Sequence, residues 1–577
     1  MSVKTLQFDR ALDAIFEKLR SHERECRRCK QQFKIVAEDI DFYKKLRVPP
    51  PTMCPRCRAQ TIFGSRLSFL PIFYKKKCSA PGHNESVVSF YSERNPVKVY
   101  DDKFYVSDGW DPLSFGRDYD SNKPFFSQFN ELALSVPHQT LQRDLTSVNC
   151  DYTVSGAASK NCYYLAVPYH AEDVQYGFLG YYSRNSLDVN LIENSELCYE
   201  SGSLQESYNC SFCYKSIACV DSYFLLDCHN CTHCFGCTNL RNKKYCFFNE
   251  QLSKEEYEKR VKAINLGSRK AVREYQKKFD DLTKKAIWKY VDNVKVENCV
   301  GNEIDESKNC YYVFWVIGCK DMRYIYSAER SDTAMDVMGI GVSSRAYYSS
   351  GVIAASDVRF SVMTRAGLDV EYSVECANCE HIFGCYGLKN KKYCIFNKQY
   401  TEEEYWKQLD EIKIKMLQRG EYGEHFPLEI SPHPYADSNA SIEYPLSKEE
   451  VLKRGWHWED PVEEAVDLSG IQALKAEEVP DDIANTTDDI LSKAILCEKT
   501  GKPFRYTKFE LDFHRHQRIA LPTVHPLERT RDRFKWRSPF KLFATTCSKC
   551  GKQIESGYDP INKLTIYCEQ CYLKEIV

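Results

Sequence analysis

Two sets of paired Cys-x2-Cys motifs have the spacing of metal ligands. Each set contributes four thiols: Cys26, Cys29, Cys54 and Cys57 in the first, and Cys547, Cys550, Cys568 and Cys571 in the second. Such spacings are typical of zinc ribbons, in which four thiolates surround the ion and leave no position for a catalytic water. The sequence therefore predicts two structural Zn2+ sites that stabilise folding and perform no catalysis.

A third set of cysteines recurs at three-residue steps: Cys228, Cys231, Cys234 and Cys237. Converging thiols could hold zinc or an iron–sulfur cluster, or one could act as a reactive thiol of an enzyme. The alternative is that they fill the interior of a repeat, because a later copy of the sequence has the hydrophobe Ile382 in place of Cys234. We favour interior packing. Since the chain also lacks the common catalytic motifs, no catalytic residue is predicted.

Basic and aromatic residues near both ends could contact nucleic acid. The candidates are Arg27, Arg28, Arg56, Arg58, Arg515, Arg518, Arg531, Arg533, Trp536 and Arg537. Arginine neutralises phosphate and tryptophan stacks on unpaired bases, so this composition fits RNA or single-stranded DNA. The alternative is that small ribbons carry charge to stay soluble, with the acidic segment 459–490 neutralising the basic ends.

A repeat of twelve residues, from Asn149 to about residue 252, must position the central cysteines. Cutting the chain every twelve residues brings small residues to the second position, aromatic residues to the fourth, and Asn or Asp to the first. A fixed short period is the signature of a stacked β-solenoid. We expect two short strands and two corners in each coil, with cysteine filling the narrow axis. Replacing an interior cysteine with serine should then cost about 1–3 kcal/mol by burying an unpaired hydroxyl.

The whole repeat recurs 148 residues later, together with the helix that follows it. Residues 161–164 and 309–312 both read NCYY, and Ser253 and Thr401 begin the two helices with capping-box spacing. In the second copy the second position carries Met, Ala, Val and Ile, as a packed interior tolerates. Because 148 is not a multiple of twelve, we expect the connecting helix to separate two stacks.

The two ends of the chain are also related, at a distance of 471 residues. The segment that begins at Cys497 aligns without gaps on the segment that begins at Cys26, but three of the four ligand positions are occupied by Thr500, His525 and Glu528. A ribbon that has lost its metal therefore precedes the intact C-terminal ribbon. Near the N-terminus the counterpart of that intact ribbon retains only Cys78. Each end is predicted to be a two-ribbon module, with the metal kept in opposite halves.

The predicted fold is mainly β with α segments: two tandem short-coil (12-residue) β-solenoids flanked by zinc-ribbon modules. The expected units are an amphipathic helix at 1–24, a zinc-ribbon module and β-rich bridge at 25–148, array 1 at 149–252, a helical cap and connector at 253–297, array 2 at 298–400, a helical cap and acidic linker at 401–495, and a degenerate ribbon plus an intact zinc ribbon at 496–577.

Composition bears on the compartment. The chain has 577 residues, 28 cysteines and a formal net charge of −2. Neither an apolar leader in the first 25 residues nor a run of eighteen apolar residues occurs, so we expect a cytoplasmic protein with reduced thiols and no membrane contact. The net charge provides no overall attraction to nucleic acid.

Several motifs together resemble a known family. These are the CxxC-x24-CPxCR ribbon, a WDP stretch, Asn-Cys repeats that end in NKKYCxFN before an EEY helix, and the terminal ribbon. The chain resembles, over nearly its whole length, an uncharacterised family of large zinc-ribbon-flanked Asn-Cys repeat proteins of ultrasmall candidate-phyla bacteria. The resemblance implies this architecture and a cytoplasmic location but no mechanism.

Three functions follow from these patterns. The favoured one is a non-enzymatic zinc-binding repeat scaffold that mediates protein–protein interaction or self-association. The alternative is an RNA, single-stranded nucleic-acid or ribosome-associated factor that binds through the basic ribbon modules. The third is a thiol or metal-cluster enzyme that uses the Cys228 to Cys237 set.

Overall fold

The two repeats form two separate β-sheets of eleven strands each, parallel except for the last strand, which we call array 1 and array 2. The computed structural model describes residues 3–65, 69–70, 72–460 and 468–576. The strands of array 1 are Asp151–Val154, Tyr163–Ala166, Glu172–Tyr181, Arg184–Glu193, Tyr199–Gln205, Tyr208–Ser211, Tyr214–Ile217, Val220–Leu226, Phe235–Thr238, Cys246–Phe247 and Glu250–Gln251. Those of array 2 are Glu297–Asp305, Lys308–Ile317, Lys320–Glu329, Asp332–Gly341, Ser344–Ile353, Ser356–Arg359, Val362–Arg365, Leu368–Glu371, Glu380–Phe383, Lys392–Ile395 and Lys398–Gln399. The predicted pair of β-solenoids is confirmed.

The twelve-residue period sets the register of both arrays. Parallel strands pair residues twelve positions apart, so Ser186 lies beside Val174 in array 1 and Met322 lies beside Cys310 in array 2. The first coil of array 2 is one residue shorter, and Cys299 pairs with Cys310 before a bulge restores the period.

Each coil has four sides, whereas two strands and two corners were expected. Every third residue has a positive φ, as in the first coil at Asn149, Tyr152, Ser155 and Ala158. Each left-handed residue turns the chain, so twelve residues close a four-sided coil of three residues a side. Asn and Asp tolerate this backbone region better than most residues, which accounts for their frequency at the first position.

The residue after each left-handed residue faces the interior. Four interior columns result, and cysteine, serine and small apolar residues occupy them. The predicted interior position of the array cysteines is confirmed, because all of them are buried except Cys299, which lies at the first coil of array 2 and is partly exposed. The apolar core is accordingly divided between the interior of each array and the layers that cover the arrays.

Each array is closed at its C-terminal end by an antiparallel strand pair and a helix. The last strands pair Cys246 with Gln251 in array 1 and Cys394 with Gln399 in array 2. The helices that follow are Lys254–Lys262, capped by Ser253, and Glu402–Gln418, capped by Thr401. The predicted capping box is complete only at Thr401.

Four ribbons lie outside the arrays. We number them in chain order: ribbon 1 (22–64), ribbon 2 (74–106), ribbon 3 (494–533) and ribbon 4 (543–576). Their strands are His22–Glu25, Gln32–Ile35, Tyr74–Lys77, Ser86–Ser89, Val99–Tyr100, Ala494–Leu496, Pro503–Phe504, Phe543–Thr546, Gln553–Ser556 and Thr565–Tyr567. Their helices are Ala37–Leu46, Pro55–Gly64, Asp102–Val106, Lys508–Gln517, Pro526–Arg533 and Glu569–Ile576.

The remaining strands are short, whereas the remaining α-helices range from 4 to 15 residues. They comprise the strands His138–Gln139, Ile287–Lys289 and Ala473–Leu474 and the helices Leu6–Lys18, Phe125–Ser135, Arg269–Thr283, Ala440–Glu443 and Lys448–Lys453. The amphipathic helix expected over 1–24 ends at Lys18, and Met1 and Ser2 lie outside the described residues. Part of the expected acidic linker, residues 461–467, also lies outside them.

The bridge between ribbon 1 and array 1 is mixed and contains fewer strands than the expected β-rich segment. Its longest element is the helix Phe125–Ser135, which buries Phe125, Phe129 and Leu132. These residues are spaced for one helical face, and Phe125 packs against Phe383 of array 2 with ring centroids 5.4 Å apart. The apolar face of the helix therefore joins the core of array 2.

Each ribbon module covers the array that is more distant from it in sequence. Ribbon 1 packs on array 2 through a buried ion pair in which Arg58 Nε donates to Asp336 Oδ2 at 2.8 Å. Ribbon 3 packs on array 1 through the duplicated pair, Arg529 and Asp188. The N-terminal module thus contacts the C-terminal array, and the C-terminal module contacts the N-terminal array.

Aromatic contacts repeat this exchanged arrangement. The ring of Tyr43 in ribbon 1 meets Tyr347 of array 2 edge-on, and His514 in ribbon 3 meets Tyr199 of array 1 in the same way. Both pairs occupy corresponding positions of the duplicated sequence. The duplication has therefore preserved a docking contact as well as the elements it joins.

The arrays contact each other sideways. Phe178 of array 1 stacks on Trp315 of array 2 with ring centroids 6.3 Å apart. Farther along array 1, Lys215 forms an ion pair with Glu303 of array 2 at 3.7 Å. The second array therefore lies beside the first rather than continuing it.

Candidate metal centres

Ribbon 1 brings its four predicted ligands together. Cys26 and Cys29 lie at the turn after the first strand, while Cys54 and Cys57 lie at the start of the helix Pro55–Gly64. All four sulfurs lie within 4.8 Å of one another. Cys29 Sγ is 3.8 Å from Cys54 Sγ, close to the separation of about 3.8 Å expected for two thiolates 2.3 Å from one tetrahedral ion.

Ribbon 4 repeats this geometry. Its four ligands, Cys547, Cys550, Cys568 and Cys571, also lie within 4.8 Å of one another. Cys550 Sγ is 3.8 Å from Cys568 Sγ, and Cys547 Sγ accepts a hydrogen bond from the Cys568 backbone N at 3.3 Å. Both groups can bind a metal ion, because four convergent sulfurs supply a complete tetrahedral shell.

Hydrogen bonds within the ribbon 1 group favour the thiolate at one of its ligands. The Cys57 thiol is the main cause that lowers the pKa of Cys54, to about 5, and the Cys57 backbone N–H adds to the effect. A thiolate, rather than a thiol, is the form that binds a metal ion.

Ribbon 3 keeps the ribbon fold without the ligands. Cys497 Sγ accepts a hydrogen bond from the His525 backbone N at 3.3 Å. In ribbons 1 and 4 the first cysteine accepts the same bond from the backbone N of the third cysteine. Within the described residues, however, Cys497, His525 and Glu528 do not converge as a group of metal ligands. The backbone geometry therefore persists where the metal-binding residues have been lost.

The central set of cysteines lies on the four sides of one coil of array 1. Cys228, Cys231, Cys234 and Cys237 are fully buried. In the part of the chain that the structure describes, no three of these sulfurs lie within 4.8 Å of one another. Four sulfurs on four separate sides line the column but do not form a closed ligand shell, which argues against a metal cluster here.

The thiols in this coil bond to the backbone instead. Cys228 Sγ donates to Leu226 O and Cys237 O at 3.6 Å, and Cys237 Sγ donates to Phe235 O at 3.4 Å. Burial is the first cause that raises the pKa of Cys228 well above its usual value. A buried thiol of this kind is a poor nucleophile, since thiolate is the reactive form.

Serine performs the same interior role, which sequence reasoning did not anticipate. Ser186 Oγ donates to Arg184 O at 2.8 Å and accepts from the Cys198 backbone N at 3.1 Å. The hydroxyl is therefore paired on both sides. The premise that an interior serine buries an unpaired hydroxyl is wrong, because the coil presents an inward N–H twelve residues later.

Four of the predicted nucleic-acid contacts are buried or packed against the protein. Arg58 and Arg533 are fully buried in ion pairs, and the Arg537 side chain is buried against Glu443. Trp536 is half-buried and stacks on Tyr214 at 4.3 Å. Burial of Arg58 and Arg533 in ion pairs with the arrays corrects their assignment as phosphate contacts. For Trp536 and Arg537 the contact with nucleic acid stays a prediction.

The other predicted contacts remain nearer the surface. Arg27, Arg56, Arg518 and Arg531 are exposed, whereas Arg28 and Arg515 are half-buried. Several face carboxylates: Arg27 with Glu424, Arg515 with Asp488, and Arg531 with Glu528. The two groups lie on ribbons that cover different arrays. The two basic groups therefore belong to separate ribbons, and their contact with nucleic acid stays a prediction.

One sequence signal could have identified the buried arginines' partners. The fourth position of each coil is mostly aromatic, but it is occupied by Asp188 and Glu200 in array 1 and by Asp336 in array 2. Arg533 bonds to both Asp188 and Glu200. A carboxylate within an aromatic row is a strong indication of a buried cation, since an unpaired buried charge is costly.

A cavity of about 310 Å3 lies between the bridge, array 2 and the loop that follows its cap. Its walls include Tyr91, His138, Glu375, Tyr386 and His433. Burial lowers the pKa of His138 to about 4 and that of His433 to about 3, so both are neutral at pH 7. Gln142 donates to Glu375 Oε1, whereas Oε2 of Glu375 is buried and has no partner among the described residues.

No family model, curated protein or solved structure matches the chain. Among the described residues, no helix has the length and apolar character needed to cross a bilayer. The four-cysteine groups and the stacked coils together fit a metal-binding repeat scaffold.

Proposed function

We propose that the chain is a non-enzymatic scaffold, stabilised by two structural Zn2+ ions, that self-associates through the partly exposed first coil of array 2. Zinc is the metal that best suits two closed groups of four thiolates, because it favours tetrahedral sulfur coordination. Closed sites of this kind stabilise folding, while the interaction itself belongs to the arrays.

The observation that carries the proposal is the open end of array 2. The strand Glu297–Asp305 is the first strand of its sheet. Val294 N donates to Ile304 O at 2.8 Å near the end of this strand, so its unpaired edge is limited to the part around Cys299. Its interior residue Cys299 is partly exposed, whereas Cys310 in the next coil is buried. The end of the interior column is therefore accessible, and an unpaired edge of this kind is a template for a further strand.

The corresponding end of array 1 is covered. Its first interior cysteine, Cys150, is buried, and the Arg143 side chain donates to the Cys150 carbonyl at 2.6 Å. Asp144 N also donates to Gly156 O at 3.1 Å. The segment before array 1 thus covers its first interior cysteine, whereas the segment before array 2 leaves Cys299 partly exposed. This difference favours array 2 as the interacting one.

The chemistry of the open edge suits a second copy of the chain. Val294 is 53% exposed and Val296 is 37% exposed. The adjacent charges are neutralised within the array, by a Lys295–Glu306 pair at 2.7 Å and a Glu297–Lys308 pair at 2.7 Å. These paired charges therefore do not repel a second copy of the same edge. Two identical edges related by a twofold axis would bury the same apolar residues on both copies.

Light scattering coupled to size exclusion tests self-association. We expect the wild-type molar mass to rise to that of a dimer with concentration, and a Val294→Lys/Val296→Lys variant to remain monomeric. Val342→Lys is the matched control, because Val342 is 62% exposed on another part of array 2. A wild type that stays monomeric throughout, or a control that loses association equally, would contradict the proposal.

A further inference from the structure

Ribbon 2 has the fold of a metal-binding ribbon, although it contains a single cysteine. The strand Tyr74–Lys77 pairs antiparallel with Ser86–Ser89, and ribbon 4 contains the equivalent pair. Cys78 N donates to Glu85 O at 3.1 Å, in the same way that the first cysteine of ribbon 4 bonds across its turn. Cys78 therefore occupies the position of the first metal ligand.

The second loop of ribbon 2 also corresponds to that of ribbon 4. Ser79 N donates to Val99 O at 2.8 Å, and the equivalent bond in ribbon 4 joins Ser548 N to Ile566 O at 2.8 Å. Asp101 follows Val99 by two residues, as Cys568 follows Ile566. Asp101 therefore occupies the position of the third metal ligand, immediately before a helix.

Four potential ligand atoms converge at this position. Atoms of Cys78, His83, Glu85 and Asp101 all lie within 4.8 Å of one another. His83 Nδ1 is 3.4 Å from Asp101 Oδ2 and 2.7 Å from Glu85 Oε1. Two ligands that are each about 2.0–2.2 Å from one tetrahedral ion lie roughly 3.3–3.6 Å apart, so the His83–Asp101 distance fits a shared metal ion. The 2.7 Å between His83 and Glu85 is a hydrogen bond, which metal binding would replace.

The carboxylate of Asp101 has one oxygen without a hydrogen-bond partner. Oδ1 caps the following helix by accepting from Lys103 N and Phe104 N. Oδ2 is buried and, among the described residues, accepts no hydrogen bond. The Cys78 side chain beside it is also buried, at 2% exposed. An orphaned carboxylate oxygen and a buried sulfur facing one imidazole form the donor set of a transition-metal site.

We propose that ribbon 2 binds a third Zn2+ ion through Cys78, His83 and Asp101, with Glu85 as the fourth ligand. Phe104 stands where ribbon 4 has its fourth cysteine, and its ring packs edge-on against His83 at 5.2 Å. The fourth ligand must therefore come from elsewhere, and Glu85 is the nearest donor. Because the Glu85 side chain is 53% exposed, it is the ligand that exchanges most readily with water.

The proposed site differs in kind from those of ribbons 1 and 4. One sulfur, one nitrogen and carboxylate oxygens replace four sulfurs, and one position opens to solvent. A zinc ion in such a mixed site is bound less tightly than in a closed four-thiolate group and remains accessible to small ligands. The inference does not depend on self-association, because metal content is measured on the whole chain in any oligomeric state.

Metal analysis of the full-length protein, dialysed after loading with zinc, tests the site. We expect three zinc ions per chain in the wild type and two in Cys78→Ser and in His83→Asn. Cys497→Ser is the matched control, since Cys497 is the single cysteine of ribbon 3, whose ligands do not converge. The control should retain three ions. Two ions in the wild type, or equal loss in the control, would overturn the proposal.

A second measurement distinguishes loss of the metal site from failure of a variant to fold. His83 is partly exposed at the surface, so His83→Asn should fold with an unchanged circular dichroism spectrum. The visible spectra of the cobalt-substituted wild type and His83→Asn should then differ by the absorption of one Co2+ ion with a single thiolate ligand. Identical cobalt spectra in the two folded proteins would overturn the site independently of the Cys78 variant.

Discussion

At the scale of single residues, the interior side chains of the arrays act as hydrogen-bonding partners as well as fillers. Ser207 Oγ donates to Gln205 O at 2.9 Å and accepts from the Cys219 backbone N at 3.3 Å. In array 2 the sulfur of Cys319 accepts from Ser331 N at 3.4 Å. Cysteine and serine are therefore interchangeable here because both satisfy an inward-pointing N–H that alanine cannot.

Removal of one interior hydroxyl tests this explanation. Ser207→Ala should lower the free energy of unfolding by about 1–3 kcal/mol, because the Cys219 N–H loses its buried acceptor. Ser207→Cys keeps an acceptor and should cost less, as should Cys162→Ser. Denaturant unfolding of the variants provides the comparison. Equal stability of the alanine and cysteine variants would show that the hydrogen bonds contribute little.

The carboxyl of Glu375 predicts a pH dependence. Burial raises its pKa from an ordinary 4.5 to about 7, against the opposing hydrogen bond from Gln142. The folded chain therefore holds this proton more tightly than the unfolded chain does. The resulting stabilisation is present below about pH 4.5 and is lost as the pH rises to about 7, by about 3 kcal/mol in total.

Glu375→Gln removes this titration and should abolish that part of the pH dependence. Between pH 5 and pH 8 the wild type should lose more unfolding free energy than the variant does. The exposed Glu403→Gln serves as the control and should follow the wild type. If Glu375→Gln and wild type change in parallel with pH, the carboxyl does not titrate in this range.

Residue patterns predicted the ligands of ribbons 1 and 4 because two Cys-x2-Cys pairs are rare by chance. They did not predict the ligand group of ribbon 2, since His83, Glu85 and Asp101 are common residue types at no recognised spacing. Nor did they distinguish a surface arginine from a buried one. Arg58 occurs in a basic stretch, yet it is 1% exposed, and only its partner on a distant array explains its burial.

At the scale of elements, the twelve-residue period was visible and the four-sided coil was not. Parallel pairing aligns residues twelve apart, so the same side chain types recur at that interval. A shorter period of three appears only in the backbone dihedral angles, because every third residue has a positive φ. The residues at these positions are as varied as Asn149, Tyr152 and Ala158. Because these are seldom glycine, their conformation leaves little compositional mark beyond the Asn and Asp at the first position.

The ion pair that joins ribbon 1 to array 2 should be essential to that contact. Burial raises the pKa of Asp336 to about 6, although the Arg58 guanidinium opposes the rise. Asp336→Asn leaves Arg58 charged and unpaired, so at pH 8 it should lower the free energy of unfolding by about 3–5 kcal/mol.

Asp357→Asn is the matched control for this substitution, because Asp357 pairs with Arg345, whose side chain is half exposed. A surface pair of this kind contributes only about 0–1 kcal/mol. Thermal unfolding of both variants should therefore separate them clearly. Comparable stability of the two would mean that the buried pair does not hold the ribbon to the array.

At the scale of the whole molecule, the order of units along the chain did not predict which units touch. The sequence shows that the arrays and ribbons are duplicated, but duplication is equally consistent with each ribbon covering its nearest array. Packing contacts between Arg58 and Asp336, and between Arg529 and Asp188, determine the exchanged arrangement. Which ribbon covers which array depends on complementary charges in segments that are distant in sequence, so no local pattern predicts it.

Hydrogen–deuterium exchange at increasing protein concentration is a direct test of self-association through array 2. If the open first coil of array 2 binds a second copy, amides of Glu297–Asp305 become more protected as concentration rises, while those of Asp151–Val154 in the capped end of array 1 do not change. Exchange in Glu297–Asp305 that is independent of concentration would contradict the claim.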